Sequence, residues 1–330
     1  MFTIKINDIG FNEKKYVIDF LFKEYFGIDY EIVSYNENDT EIIFADKKII
    51  IRDIFLNQVD NKWLEVLNLF KNPLEYLNYD DLSINVRNRH KSIPILFGSN
   101  KIKLNKETIL FELDLIGSCF FMLSGYEEAI NLNRDIHDRF LARYSISKNQ
   151  NFILRPIVNE YAELLFSYLE ILNPQLKRKK NSFKKLISVD VDQPYNPNIK
   201  NFLGIIRGTI KFFLQSDKTN SPLKLIYNYL ANKVNFFIYD DDYNNFQWLI
   251  EKNTQVKNKV IFFIIQKVTN AKYDGKYSIS EKLMRNLNSK IKSNQHEIGI
   301  HFSYETYNNA NNALAEKNIF FSNEKIFQAK

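Results

Sequence analysis

The spacing of apolar residues changes character near residue 180. Before that point, KKYVIDFLFKEYF (14–26) places apolar side chains three and four apart, which predicts an amphipathic helix. YEIVSY and TEIIFADKKIIIRD carry β-branched runs bounded by polar turns, and IPILFG is a short apolar run closed by glycine; these predict strands. ETILFELDLIGSCFFMLSGYEE (107–128) is apolar on most faces and is expected to be one core helix. PIVNEYAELLFSYLEIL predicts a second, begun by Pro156 where a missing N–H costs least. Residues 1–180 therefore read as an α+β domain.

Residues 181–330 show apolar strands separated by helical stretches: KLISVDVD, VIFFII and EIGIHFS. Ser278 and Glu281 make a capping-box pattern, with Leu283, Leu287 and Ile291 following at helical spacing. Continuous apolar strands joined by helices predict a parallel sheet covered on both faces, so the fold class is α/β. The three aspartates of DDDYNNFQWL (240–249) are read as charge at the positive end of a helix, and the basic run LKRKKNSFKK (176–185) as a linker.

In parallel sheets of this kind, sites collect at the carboxyl ends of the strands. Asp190 and Asp192 stand two apart at the end of an apolar strand, so both leave the same face, and Pro194 and Pro197 stop the strand. One of the pair can hold a divalent cation while the other takes a proton from an attacking water; solvated, capping aspartates are the structural alternative. HEIGIHFSYE places two of the four histidines five apart. If EIGIH is a strand, His301 stands at its carboxyl end beside the aspartates, while His296 precedes the strand and points away. Glu305, four beyond His301, reaches the same place if the chain turns into a helix there. His90 and His137 show no ligand spacing and are read as surface or structural residues.

Composition narrows the function classes. The net charge is +6, but lysines and arginines are spread along the chain rather than gathered in one tract, so nucleic acid is not expected as a partner. The single cysteine, Cys119, lies in the apolar GSCFFML and excludes an intrachain disulfide. No signal-peptide run opens the sequence and no segment approaches the roughly 18 apolar residues of a membrane span. The expectation is a soluble, cytoplasmic protein of bacterial type.

The order DVDQPY, VIFFII, HEIGIHFSYETY resembles the opening of the polysaccharide deacetylase (NodB-homology) family, in the bacterial branch with a DVD motif. IPILFG, FFMLSGYEE, DIHDRFLARYS and RPIVNEYAELL are similar to the N-terminal domain that precedes the deacetylase-like domain in that branch. The resemblance implies a distorted (β/α) barrel and metal-assisted removal of acetyl groups from a cell-surface or capsule-type polysaccharide, with a divalent metal, usually zinc. Carried onto matching positions, it implies Asp190 as general base and Asp192 and His301 as metal ligands. Val191 separates aspartates that are adjacent in the family, which leaves their roles exchangeable, and Glu305 stands where the family has a second histidine ligand. A complete barrel takes about 250 residues. The expectation is therefore an incomplete deacetylase-type barrel, cut short or naturally brief and itself inactive, with an unpaired apolar edge at VIFFII and its neighbours. A non-catalytic carbohydrate-handling or assembly protein with a degenerate site is the alternative.

Overall fold

The computed structural model describes residues 1–330 apart from 66–72, 181, 216–220, 233–240, 271, 280, 329 and 330. The chain divides into two compact units, Met1–Asn181 and Ser182–Lys330. Both mix helices and strands, and the strands form several separate sheets.

The first unit runs β1 (Phe2–Ile6), α1 (Phe11–Ile18), β2 (Tyr30–Ser34), β3 (Thr40–Phe44), β4 (Lys47–Ile51), α2 (Phe55–Val59), β5 (Glu75–Asn78), β6 (Ser92–Ile95), β7 (Gly98–Leu104), β8 (Thr108–Leu113), α3 (Leu115–Ser124), α4 (Tyr126–Ile130), α5 (Ile146–Asn149) and α6 (Ile157–Leu172). Its main sheet has the order β2-β1-β3-β4-β8-β7. β3 and β7 run antiparallel to their neighbours, so β1, β2, β4 and β8 all point one way. α1 continues without a break into a π-helical stretch, Asp19–Phe26, that ends on left-handed Gly27.

The expected single helix over 107–128 is instead a strand followed by a helix. Within β8, Ile109, Phe111 and Leu113 are buried at alternate positions, and period alone does not separate a buried strand from a buried helix. Asp114 makes the break. Its carboxylate accepts the N–H of Gly117 at 2.7 Å as the N-cap of α3, and also those of Ile54 at 2.9 Å and Phe55 at 2.8 Å at the start of α2. Gly117 has no room for a side chain, since an added Cβ would lie 2.3 Å from Asp114 Oδ2. The LSGYEE segment also has a structural role. Gly125 ends α3 in the left-handed conformation, buried Tyr126 accepts the N–H of Leu64 at 2.9 Å, and Glu127 accepts that of Ile146 at 2.7 Å. Nor is the basic run after α6 wholly solvated: Arg178 grips Glu163 with two hydrogen bonds of 2.6 and 3.0 Å and lies over the Phe166 ring.

The second unit runs β9 (Ile187–Val191), α7 (Phe202–Gln215), α8 (Pro222–Asn232), α9 (Phe246–Gln255), β10 (Val260–Ile265), α10 (Lys282–Ser293), β11 (Glu297–His301) and α11 (Ala310–Gln328). The three strands are parallel in the order β11-β10-β9. The VIFFII strand, β10, is therefore central, and the outer positions fall to β9 and β11. Val260, Phe262 and Ile264 are fully buried and share a core with Ile250 of α9 and with Leu287 and Ile291 of α10. The opposite face is not covered in the same way: Ser188 and Asp190 are exposed, and Ile261 and Phe263 are half-buried. The sequence of β9 explains the departure from a sheet buried on both sides, because its apolar residues alternate with Ser188 and Asp190 and supply one apolar face only. Among the described residues, no helix is long and apolar enough to cross a membrane.

Candidate functional site

The strand register places the sequence-predicted residues on the open face. Asp190 pairs with Phe263, which pairs with Gly299; one step further, His301 pairs with Ile265, and Asp192 follows Val191, the partner of Ile264. Two rows cross the sheet at its carboxyl end. The outer row brings Asp192 and His301 together across β10, with His301 Nε2 3.6 Å from Asp192 Oδ1. Asp192 is the more open of the two, its side chain 72% exposed against 31% for His301. The inner row holds Asp190, exposed on the same face, and Phe263, whose ring lies over Gly299 where an added Cβ would be 2.6 Å away.

Glu305 is not brought to this pair. It is exposed on a short 3₁₀ turn after β11, where its Oε1 accepts from the Asn270 side chain at 3.2 Å and its N–H bonds Thr269 Oγ1 at 3.2 Å. His296 stands apart as well: it is buried before β11 against Phe262, with Nε2 3.3 Å from Thr254 Oγ1. His90 lies in the other unit, half-exposed and 3.9 Å from Glu160. Asp192 and His301 are donor types that divalent transition metals accept, but among the described residues no group of three or more His, Cys, Asp or Glu could hold an ion. His301 Nδ1 is buried without a hydrogen-bond partner, so its ring lacks the acceptor that commonly fixes a ligating imidazole.

Sequence reasoning missed the residues that position the pair. Tyr277 is buried and its hydroxyl bridges the two strand ends, donating to the Val191 carbonyl at 2.9 Å and accepting from the Ile265 N–H at 3.0 Å. Gly275 lies against the backbone of Asp192: an added Cβ would sit 1.9 Å from the Asp192 carbonyl oxygen. Asp274 is buried, and its carboxylate accepts the N–H groups of Thr269, Asn270 and Tyr304, each at 2.7 Å, tying the loop after β10 to the loop after β11. Ser303 is anchored in turn to Glu316 of α11, which is fully buried. The signal for this group was the Asp-Gly turn in YDGKY, within the connection that follows the apolar strand β10.

The loop that carries Asp192 away from β9 is pinned from several sides. Asp241 accepts the N–H of Asn196 at 2.6 Å, Gln193 accepts that of Lys276 at 3.0 Å, and the Tyr195 hydroxyl donates to Glu281. Asp241, expected to serve the helix dipole, is thus mainly an acceptor for this loop, and burial raises its pKa above the ordinary aspartate range. Glu281 also accepts the Ser278 N–H at 3.0 Å, the reciprocal half of the expected capping box, at the start of α10.

No curated protein matches the chain, and no solved structure does. One family model matches residues 2–174, a span that lies within the first unit and stops short of Asp190, Asp192 and His301. By that match over more than half of its length, the chain belongs to DUF7033, a family of unknown function.

Proposed function

We propose that the second unit is a polysaccharide deacetylase-like module that carries part of a site for hydrolysing acetyl groups on a bacterial cell-surface or capsule-type sugar with the help of a divalent metal, zinc in the first instance. The observation that carries this reading is the pairing of Asp192 with His301 at 3.6 Å across the carboxyl end of a parallel sheet. The order of the DVD, VIFFII and HEIGIH segments along the three strands agrees with it, as the opening strands of a deacetylase-type (β/α) barrel. Asp192 and His301 would hold the ion, whose chemistry when bound is to polarise an acetyl carbonyl. Asp190, one row deeper on the same exposed face, would serve as the base that takes a proton from water. Glu305 would have to leave Asn270 to join as a ligand.

A second reading has its own observation. With only two donors together among the described residues, the unit also suits a non-catalytic carbohydrate-handling role on a deacetylase-type scaffold. Acetate release from N-acetylated and O-acetylated oligosaccharides, measured on the full chain with added zinc, separates the two. Zinc-dependent release that disappears in Asp190→Asn, Asp192→Ala and His301→Ala supports the enzyme. Sugar binding without release, lost in Asp192→Ala and His301→Ala, supports the second reading.

A further inference from the structure

The first unit carries an arrangement that the proposed chemistry does not use. Because β1, β2, β4 and β8 share a direction, the residues that follow them gather along one edge of the six-stranded sheet: Asn7, Tyr35, the Arg52–Asp53 pair and Asp114. In open α/β sheets this carboxyl edge is where ligands bind. A cavity of ≈ 670 Å³ opens there, with Tyr35, Asp39, Lys48, Arg52, Asp53 and Asn57 in its wall. That volume lies within the range of small-molecule sites, about 300–1,000 Å³.

The wall is built on buried charge. Lys14 of α1 is 1% exposed, donates to Asn7 Oδ1 at 2.6 Å and forms an ion pair with Asp53, which is also buried. Isolating such a pair from water is expensive, and a hydrophobic pair of similar size would stabilise the fold as well or better. Burial raises the Asp53 pKa, and the nearby Lys14 opposes it. Above this pair, Arg52 holds Asp39 at 2.6 Å and Lys48 pairs with Glu41. Asp39 also receives the N–H of Asp53 at 3.3 Å, and the Tyr35 hydroxyl donates to the Asp39 carbonyl.

The pairing decides the class of ligand. Asp39, Glu41 and Asp53 are already neutralised by Arg52, Lys48 and Lys14, so they do not present the free carboxylates a calcium or zinc ion requires. The same cations are committed to those carboxylates, and Glu37 adds a further negative charge to the wall, so a phosphate or carboxylate ligand meets no excess of positive charge. What remains is an array of acceptors and donors whose charges are largely paired, with Glu37 as the one carboxylate of the wall that these ion pairs leave over. A hydroxyl group both donates and accepts, and it is the partner that such an array satisfies. We propose that the carboxyl edge of the DUF7033 unit is a binding site for a neutral, hydroxyl-rich molecule of mono- or disaccharide size.

The test uses the full chain and sugars without acetyl groups, so that it does not depend on the reading of the second unit. Saturation-transfer NMR with glucose, galactose, mannose, maltose and cellobiose should find at least one that binds saturably. Binding should weaken at least tenfold in Arg52→Gln, which releases Asp39. It should be lost in Asn38→Trp, which fills the cavity from an exposed position whose backbone carbonyl still receives the Asn7 side chain. Asp192→Ala and His301→Ala should leave it unchanged. The proposal is overturned if none of the five sugars saturates, if both cavity variants bind as the parent does, or if inorganic phosphate or calcium displaces the sugar.

Discussion

Replacing Tyr277 by phenylalanine tests how the carboxyl end of the second sheet is held. The ring would stay in place, since Tyr277 is 5% exposed and sits in the core that includes Val191 and Ile265. Only the hydroxyl goes, and with it the bridge from the Ile265 N–H to the Val191 carbonyl. These two groups lie just where the β9–β10 register ends, at Ile264 and Val191. A buried backbone group left without a partner costs about 1–3 kcal/mol; with two groups, and some relief from water beside exposed Asp192, the loss should be about 2–4 kcal/mol. At 1.4 kcal/mol per tenfold, exchange of the Ile265 amide should accelerate roughly 30- to 700-fold. Hydrogen exchange followed by mass spectrometry on peptides covering 260–266 reads this directly, and peptides from the first unit serve as the internal control. Exchange at Ile265 within about threefold of the parent, with unchanged denaturant stability, would refute the claim that the hydroxyl holds these strand ends.

Three further outcomes follow from the same geometry. Gly275→Ala forces a Cβ against the Asp192 carbonyl and should weaken zinc binding about tenfold or more by titration calorimetry, although it alters no proposed ligand; unchanged affinity would mean the loop yields freely. Glu305→Gln should leave zinc affinity within about threefold, because the Glu305 carboxylate is engaged by Asn270; a large loss would place Glu305 among the ligands in solution. Asp114 is fully buried, and burial first, then the charge of Asp53, pushes its pKa up to about 7 against the pull of three backbone N–H groups. A carboxyl raised in this way favours the folded state while protonated, so its contribution is complete below about pH 4 and is lost as pH rises through about 7, at up to roughly 1.4 kcal/mol per pH unit. Urea midpoints of the first unit should therefore fall from pH 5 to 8 more steeply in the parent than in Asp114→Asn; parallel slopes would contradict the assignment.

Strand identity in the second unit was legible because KLISVDVD, VIFFII and EIGIH are short, β-branched and bounded by turn residues, and those properties are local. The placement of Asp192 and His301 at one end of the sheet followed from the same pattern, since strand ends and side-chain parity can be counted. In the first unit, α6 was legible from its stripe and its proline, whereas the break at Asp114 was not, because β8 and α3 are both predominantly apolar and the residue that parts them works through contacts with Ile54 and Phe55, about sixty positions away. Tyr277, Gly275 and Asp274 escaped for a similar reason. Their roles are set by backbone groups of other strands, and a sequence shows only that a turn is present. The position of Glu305 depended on which way the chain left β11, and the Asn270 and Thr269 contacts that decide it are long-range. The buried Lys14–Asp53 pair carries no local signal at all, because an isolated lysine in an amphipathic helix reads as solvent-facing.

The central claim is that Asp192 and His301 form the core of a divalent metal site. Metal content of the purified full chain, measured by mass spectrometry at neutral pH beside Asp192→Ala and His301→Ala, tests it most directly, with circular dichroism confirming that each variant is folded. One equivalent of zinc or another divalent ion in the parent, lost in both variants, is the predicted result. A folded parent that binds no metal even after zinc is supplied would contradict it.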